Sequence, residues 1–234
     1  MDELIVKSTG LTKTYGNFTA VDSLDFEIPK GHIVGLLGPN GCGKTTLLKT
    51  LAGLLIPTSG DVKICGVSPS YQTKAFVSFL PDRDFLDSSM KTGACIEMYA
   101  DFFSDFDKAR AYDMLKSLNV DPNKAVRTLS KGMREKLQLT LIMSRRAKLY
   151  LLDEPIAGVD PAARDYILST IISNFDRESS ILISTHLIYD VEPILDDYIF
   201  MNNGRIMKSG NVDALREEHG KSLDEYFREV FRCY

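Results

Sequence analysis

The sequence predicts an α/β fold built on a mixed sheet with helices, and two observations support this prediction. From about residue 3 to residue 80, short apolar runs alternate with turn residues, and the alternation of strands and helices returns from residue 148. Between these stretches, over residues 85–146, the apolar spacing is helical. We therefore expect one domain over residues 1–234 that carries a helical insert at residues 85–146, rather than two independent domains.

Individual elements follow from the same pattern. In the first stretch, apolar runs predict strands at residues 4–6, 26–28, 32–37, 61–64 and 76–80. One helix is predicted over residues 44–52, with Gly53 as its C-terminal stop. Helical spacing in the insert covers residues 109–118 and 131–146. After residue 148 we expect a helix over 161–172, an amphipathic helical tail after residue 211, and strands at 149–152, 181–184, 198–201 and 205–208. The last two strands flank Asn202, Asn203 and Gly204, which suit a hairpin turn.

Composition excludes several classes of protein. The chain is 44% hydrophobic and 26% charged, which is typical of a folded domain, and its formal net charge of −4 argues against a nucleic-acid partner. No apolar run approaches the roughly 18 residues that span a bilayer, and no secretory signal is visible at the N-terminus. The cysteines are scattered, which favours a reducing cytosol over a zinc cluster or a disulfide scaffold; they are Cys42, Cys65, Cys95 and Cys233.

Residues 38–45 read GPNGCGKT, which is a complete GxxxxGK[ST] phosphate loop between a predicted strand and a predicted helix. Its glycines let backbone N–H groups surround phosphate oxygens, and the helix N-terminus adds partial positive charge. Lys44 supplies a charge for the β and γ phosphates, and Thr45 offers a hydroxyl to Mg²⁺. The alternative is a chance glycine-rich turn. The candidate nucleotide-binding residues are Gly38, Pro39, Asn40, Gly41, Cys42, Gly43, Lys44, Thr45 and Thr46.

A second candidate site lies at the end of the strand predicted over 149–152, where Asp153 and Glu154 follow an apolar run. A buried strand ends in adjacent carboxylates only where something cationic meets them. We assign Asp153 to Mg²⁺. Because successive side chains of a strand alternate, Glu154 is expected on the other side, where it can polarise an attacking water. An Asp-Glu pair alone is usually a solvated turn, and the phosphate loop favours the functional interpretation.

Two further motifs are weak in isolation. Residues 129–133 read LSKGM and open a predicted helix, with Ser130 as a good N-cap and Gly132 allowing a ligand to approach. Residues 184–186 read STH directly after a predicted strand, so that His186 follows the sheet edge. Each motif alone is an ordinary helix start or strand end.

Taken together and in this order, these motifs resemble those of the nucleotide-binding subunits of ATP-binding cassette (ABC) transporters, in the short bacterial export-type branch. The resemblance extends from about residue 4 to residue 211. It implies a P-loop NTPase core with a helical subdomain that bears the family signature, and ATP and Mg²⁺ as cofactors. It also implies that Asp153 is the Mg²⁺ acid and Glu154 the catalytic glutamate.

The resemblance assigns five more residues. Tyr15 matches the aromatic residue that stacks on adenine, and His186 matches the catalytic histidine that touches the γ-phosphate. Ser130 and Gly132 match the signature, which contacts a γ-phosphate held by the opposite subunit. Asp160 matches the loop that links the two sites of a dimer, and it precedes Pro161 as a helix N-cap.

The chain departs from the family where a glutamine usually follows the strand that ends near Leu80, because Asp82 occupies that place. A carboxylate accepts hydrogen bonds but cannot donate them as an amide does. Asp82 could therefore approach Mg²⁺ as a metal ligand, or repel the γ-phosphate and slow hydrolysis. Lys131 and Met133 also replace the more usual glycine and glutamine of the signature. We interpret these changes as marks of a divergent branch.

The resemblance implies an ATP-hydrolysing subunit that powers a membrane transporter, with export favoured over import. Its partners are a separately encoded integral membrane subunit and a second ATPase subunit, itself or a homologue, in a head-to-tail dimer. The expected location is the cytoplasmic face of the cell membrane. In the family, the insert receives a short helix of the membrane subunit, and the aromatic residues available here are Phe85, Tyr99, Phe102, Phe103 and Phe106. Two alternatives remain, a soluble ABC-type ATPase not tied to transport and a slow-hydrolysing nucleotide sensor.

Overall fold

The computed structural model describes residues 3–232, so Cys233 lies outside the described residues. A three-stranded antiparallel sheet of order β2-β1-β4 contains β1 (Leu4–Tyr15), β2 (Phe18–Pro29) and β4 (Ser59–Ile64). The strands β1 and β2 are each 12 residues long, far longer than the apolar runs predicted for them. Their extra length comes from polar stretches that pair through backbone hydrogen bonds, which an apolar run does not reveal.

The main sheet has six strands in the order β5-β6-β7-β3-β8-β9. Its first five strands are parallel and β9 is antiparallel to β8. The strands are β3 (Ile33–Leu37), β5 (Val77–Leu80), β6 (Leu149–Asp153), β7 (Ser180–Thr185), β8 (Asp197–Asn202) and β9 (Arg205–Asn211). Every residue of β3, β6 and β7 is buried, as expected for parallel strands covered on both faces. The mixed α/β fold predicted from the sequence is confirmed.

The predicted β8–β9 hairpin is also confirmed. Asn203 and Gly204 both have positive φ values, 45° and 78°, which a two-residue hairpin turn of this kind requires. The turn packs on the smaller sheet, because Asp22 N donates to Gly204 O over 2.8 Å.

Helices cover both faces of the main sheet. Helix α1 (Lys44–Leu51) follows β3 and packs with the smaller sheet on one face, through Leu47, Leu48 and Leu51. The other face is covered by α5 (Pro161–Asn174), by α6 (Ile188–Val191) and by the C-terminal helices α7 (Val212–His219) and α8 (Leu223–Arg232). The predicted helical tail thus consists of two helices. Among the helices of residues 3–232, none combines the length and apolar character that a membrane crossing requires.

Three α-helices lie between β5 and β6, namely α2 (Thr92–Phe102), α3 (Lys108–Ser117) and α4 (Lys131–Met143). They bury an apolar cluster of their own, which includes Ile96, Leu115 and Leu141. Helix α2 was not predicted individually. Helix α4 ends three residues before its predicted end at 146, because the chain after Ser144 turns to pair Arg145 with Phe106 in an isolated bridge.

Arg145 connects these helices to the main sheet. Its side chain is 3% exposed, and its guanidinium pairs with Asp105, with 3.0 Å between Nε and Oδ1. It also donates to the backbone oxygens of Lys74, Ala75 and Val77, just before and within β5, and lies 3.9 Å from the centre of the Phe103 ring. A buried guanidinium needs several acceptors, and here the acceptors come from both sides of the junction.

Candidate functional site

The candidate site lies at the carboxyl edge of the main sheet. There β3 leads into the phosphate loop, β6 ends at Asp153, and β7 ends at Thr185. Because these strands are parallel neighbours, their ends meet, and Asp153 is paired in register with Ser184. The sequence motifs at residues 38–46, 153–154 and 184–186 are brought together by this topology.

Close backbone contacts fix the phosphate loop. A Cβ atom at Gly38 would lie 2.1 Å from the backbone oxygen of Met201, and one at Gly43 would lie 2.2 Å from that of Ala20. Gly43 is also the N-cap of α1, with a φ of 109° that L side chains rarely adopt. The loop borders a cavity of about 300 Å³ that Thr45, Thr46 and Glu154 also line. Only glycine satisfies these two positions.

Lys44 is buried at the centre of the loop. Its ammonium group donates to the backbone oxygens of Gly38 (2.8 Å) and Pro39 (3.1 Å). The same Nζ atom lies 3.5 Å from Oε1 of Glu154. The positive charge is thus held at the mouth of a helix N-terminus, which favours anions, and beside a carboxylate.

Asp153 is 1% exposed, and its two carboxylate oxygens have different surroundings. Oδ1 accepts hydrogen bonds from Ser184 Oγ (2.6 Å) and Thr45 Oγ1 (3.1 Å). Oδ2 is buried and has no hydrogen-bond partner among residues 3–232. Burial raises the pKa of Asp153, and the negative charges of Asp82 and Glu154 raise it further. A buried carboxylate with an orphan oxygen and a neighbouring hydroxyl fits the oxygen donors that Mg²⁺ prefers.

Glu154 leaves the strand, because β6 ends at Asp153 and Glu154 has a φ of 49°. Strand alternation, which was predicted to position Glu154, therefore does not extend to this residue, and its left-handed backbone directs the side chain. Ser184 holds this conformation, since Glu154 N donates to its O (3.0 Å) and its Oγ (3.1 Å). The carboxylate hydrogen-bonds to His186, with 3.0 Å between Oε2 and Nδ1. Non-glycine residues in this backbone region are concentrated at functional sites.

Ser130 and Asp160 both cap helices. Ser130 Oγ accepts from Met133 N (3.3 Å) at the start of α4, and Asp160 Oδ1 accepts from Ala163 N (2.9 Å) at the start of α5. The two caps are neighbours, because a Cβ atom at Gly132 would lie 3.9 Å from Asp160 Oδ2. Within residues 3–232, no hydrogen bond joins Ser130 or Asp160 to the phosphate loop. Ser130 and Asp160 thus cap two neighbouring helix N-termini, and their side chains are engaged in those caps.

Tyr15 and Asp82 occupy the periphery. Tyr15 is 46% exposed at the end of β1 and its ring centre is 5.3 Å from Lys13 Nζ. Phe18, 62% exposed across the hairpin, is the aromatic residue that lines the phosphate-loop cavity, and no sequence motif indicated it. Asp82 is exposed and lines both this cavity and a second one of about 220 Å³ between the insert and the sheet.

Sequence reasoning missed the polar contacts that surround the cluster. Ser184 bonds Asp153, and only its place at the end of a parallel strand could have indicated this. Asp84, beyond β5, accepts from Arg134 Nε (2.9 Å) and Gln138 Nε2 (2.7 Å) on α4. These two bonds connect the segment that contains Asp82 to the helix that begins at Ser130.

Residues 21–157, more than half of the chain, match the sequence family described as ABC transporter. The chain belongs to the ABC transporter family. It is 30% identical over 234 residues to the SkfA peptide export ATP-binding protein SkfE of Bacillus subtilis (strain 168), and the alignment covers 97% of this chain and 96% of that protein. It is 31% identical over 219 residues to the Nod factor export ATP-binding protein I of Ralstonia nicotianae, with 90% and 68% covered.

A solved structure described as the ATP-binding subunit of an ABC transporter has a TM-score of 0.87 with this chain at 25% identity, covering 97% of this chain and 99% of that one. A cassette described as the ADP conformation of MJ1267 has a TM-score of 0.80 at 20% identity, which supports the fold alone. The chain is therefore an ABC nucleotide-binding subunit, an ATPase that serves an ATP-powered transporter.

Proposed function

We propose that this ABC subunit hydrolyses Mg²⁺-ATP with Glu154 as general base and powers an exporter through head-to-tail dimerisation. The observation that carries the proposal is the position of Glu154, whose carboxylate lies between Lys44 Nζ (3.5 Å) and His186 Nδ1 (3.0 Å), beside the buried Asp153. A base with a cation on one side and an orienting ring on the other is suited to accept a proton from water.

The chain's own groups divide the chemistry between them. Backbone N–H groups of residues 38–46, with the exception of Pro39, bind phosphate oxygens, and Lys44 neutralises charge on the β and γ phosphates. Thr45 and Asp153 would hold Mg²⁺, which supplies charge neutralisation and orientation of the phosphates when bound. Glu154 accepts the proton of the attacking water, and His186 orients that carboxylate and contacts the γ-phosphate. Tyr15 stacks on adenine.

Ser130, Gly132 and Asp160 act across a dimer in this proposal. Ser130 and Gly132 contact the γ-phosphate bound by the opposite subunit, and Asp160 links the two sites. The support is that Ser130 and Asp160 cap two neighbouring helix N-termini, and that neither residue hydrogen-bonds the phosphate loop of its own chain among residues 3–232. The second subunit is a copy of this chain or a homologous ATPase.

The membrane partner is a separately encoded integral subunit, and the ATPase binds it at the cytoplasmic face of the membrane. A cavity of about 190 Å³ between the main sheet and the insert is lined by Leu54, Phe79, Tyr99 and Phe103, and an apolar helix of the partner fits its chemistry. Export is supported by the two relatives above, whose names describe a peptide exporter and a Nod factor exporter.

The experiment that tests the proposal compares the full chain with Glu154→Gln. Loss of the base is expected to lower kcat by about 10²-fold or more while ATP binding is retained. Phosphate release and binding of a fluorescent ATP analogue measure the two quantities. A Glu154→Gln variant that releases phosphate at the wild-type rate would overturn the catalytic assignment.

A second candidate function, a slow-hydrolysing nucleotide sensor, is favoured by one observation. Asp82 lines the phosphate-loop cavity and adds negative charge near Asp153, where a γ-phosphate would also bring negative charge. If repulsion slows hydrolysis, Asp82→Gln is expected to raise kcat several-fold. If Asp82 instead assists Mg²⁺ binding, the same variant is expected to bind Mg²⁺ more weakly, to need a higher Mg²⁺ concentration for half-maximal rate, and to have a lower kcat. Steady-state phosphate release at varied Mg²⁺ distinguishes the two roles.

A further inference from the structure

An ion pair joins the two helices that begin beside Asp160 and His186. Helix α5 begins directly after Asp160, and α6 begins two residues after His186. Arg164 lies four residues after Asp160 and Asp190 lies four residues after His186, and Arg164 Nη1 donates to Asp190 Oδ2 over 2.7 Å. The ion pair therefore lies about one helical turn C-terminal to each of these two residues.

Both charged groups are largely withdrawn from water, with side-chain exposures of 24% for Arg164 and 22% for Asp190. Arg164 Nε is also buried, and it has no acceptor among residues 3–232. Asp190 is thus the carboxylate partner of a partly desolvated guanidinium in the described part of the chain. Such a charge-assisted bond is stronger and more directional than an exposed ion pair.

Helix α6 depends on contacts of this kind. It has four residues, and so short a helix does not maintain its own conformation or orientation. Its apolar residues Ile188 and Val191 are buried, and this packing holds the helix against the core. Two ion pairs hold this segment from the side, Arg164–Asp190 from α5 and Arg216–Glu192 (2.9 Å) from α7. Of these, only the pair with Arg164 reaches the helix that Asp160 caps.

On the other side of the contact, α5 is anchored at its first turn. Asp160 O accepts from Arg164 N (3.0 Å), and Asp160 Oδ1 accepts from Ala163 N (2.9 Å). A displacement of the loop at Asp160 therefore moves Arg164 with it. A chain of contacts therefore leads from Asp160 through Arg164 to Asp190, in the segment that begins at His186. The ring of His186 in turn hydrogen-bonds Glu154.

We propose that Arg164 and Asp190 are positioning residues for hydrolysis, which hold the Asp160 loop and the His186 ring in one fixed relation so that His186 stays on Glu154. The inference rests on the proposed roles of Glu154 and His186. It adds that a structural change at Asp160 is transmitted within the chain to the catalytic carboxylate. Neither residue touches the reacting atoms.

The test uses the full chain with Arg164→Met, Asp190→Asn and the double charge reversal Arg164→Asp with Asp190→Arg. Either single variant is expected to lower kcat by about tenfold, because small misplacements of catalytic groups cost this much or more. KM and the binding of a fluorescent ATP analogue are expected to stay within about twofold, since the phosphate loop is untouched. The double reversal is expected to recover a part of kcat that neither single variant retains.

Arg216→Met is the matched control. It removes the other ion pair from the same segment and leaves the carboxylate of Glu192 with one remaining donor in the described part of the chain, the backbone N of Asp224. Melting temperatures of the two Met variants measure their general destabilisation. The ring resonances of the chain's three histidines provide a local readout: in Arg164→Met, the signals of His186 are expected to move, and those of His32 are not.

Three results would overturn the inference. If Arg164→Met or Asp190→Asn has the wild-type kcat, the pair has no positioning role. The same conclusion follows if Arg164→Met and Arg216→Met lose kcat equally at equal melting temperature. An unmoved His186 signal in Arg164→Met breaks the proposed path. Glu154→Gln separates the two proposals: if that variant is inactive and Arg164→Met keeps the wild-type kcat, this inference alone is wrong, whereas an active Glu154→Gln removes the proposed function and this inference with it.

Discussion

The ring of His186 and the carboxylate of Glu154 are hydrogen-bonded to each other, with 3.0 Å between Nδ1 and Oε2. One residue of this pair follows β6 and the other follows the neighbouring β7, so the contact depends on the parallel arrangement of the two strands. A carboxylate that already has a partner keeps its orientation without a ligand. This pair is therefore a preorganised part of the candidate site.

Replacing His186 with Ala is expected to lower kcat by about 10²-fold, because an unheld Glu154 loses its orientation toward water. ATP binding should weaken far less than kcat falls, because the γ-phosphate loses one contact while Lys44 and the loop backbone remain. His219→Ala is the control, because His219 stacks on Tyr226 of the C-terminal helix with 4.6 Å between ring centres. A His186→Ala variant as active as His219→Ala would contradict the prediction.

Asp153→Asn is expected to stabilise the protein in the absence of nucleotide and Mg²⁺. Because burial raises the pKa of Asp153 in the folded state, the unfolded chain releases this proton at a lower pH than the folded chain does. Stability is then lost as pH rises from the ordinary carboxyl pKa of about 3.9 to the raised native pKa, and it stays lower above that pKa. Asn carries no charge and keeps an oxygen for Ser184 and Thr45.

Thermal melting measures this effect. At neutral pH the Asp153→Asn protein should melt higher than wild type, and the difference should disappear below about pH 3, where the wild-type carboxyl is protonated in both the folded and the unfolded state. Mg²⁺-ATP should raise the melting temperature of wild type more than that of the variant. A variant that melts lower than wild type at neutral pH would show that Asp153 ionisation does not destabilise the fold.

Ser130→Arg is expected to abolish ATP-driven dimerisation and to spare nucleotide binding by the monomer. The added side chain fills the space beside Gly132 and Asp160, which the proposed partner phosphate needs. Size-exclusion chromatography of the Glu154→Gln background with ATP measures the dimer. Ser117→Arg, an equal change at an exposed position at the end of α3, serves as control. An unchanged dimer peak in the Ser130 variant would refute its role in trans.

Gly43→Ala is expected to abolish ATP binding. It combines a strained φ of 109° with an approach of 2.2 Å to the backbone oxygen of Ala20, which no rotamer change can relieve. Gly16→Ala isolates the first of these two effects, since Gly16 has a φ of 56° and open space around it, and should cost about 1 kcal/mol. Nucleotide binding and denaturant unfolding of both variants separate collision from strain.

The sequence located the strands and loops that meet at the site because each motif follows an apolar run, and parallel strands bring their carboxyl ends to one edge. It could not reveal which polar groups bond there. Ser184 reaches Asp153 through sheet register, and Arg164 reaches Asp190 through the packing of α5 on the segment after β7. The spacing of residues along the sequence indicates neither of these two contacts. The length of β1 was underestimated for a similar reason, since its polar half is held by pairing with β2.

The contacts of Arg145 affect how the protein unfolds. Its hydrogen-bond acceptors are Asp105 within the insert and three backbone oxygens just before and within β5. Separating the insert from the main sheet would therefore break the hydrogen bonds of a buried guanidinium and of three carbonyl groups at the same time. We therefore expect calorimetry to record one heat-absorption peak for the whole chain, without a separate early transition for the helices between β5 and β6.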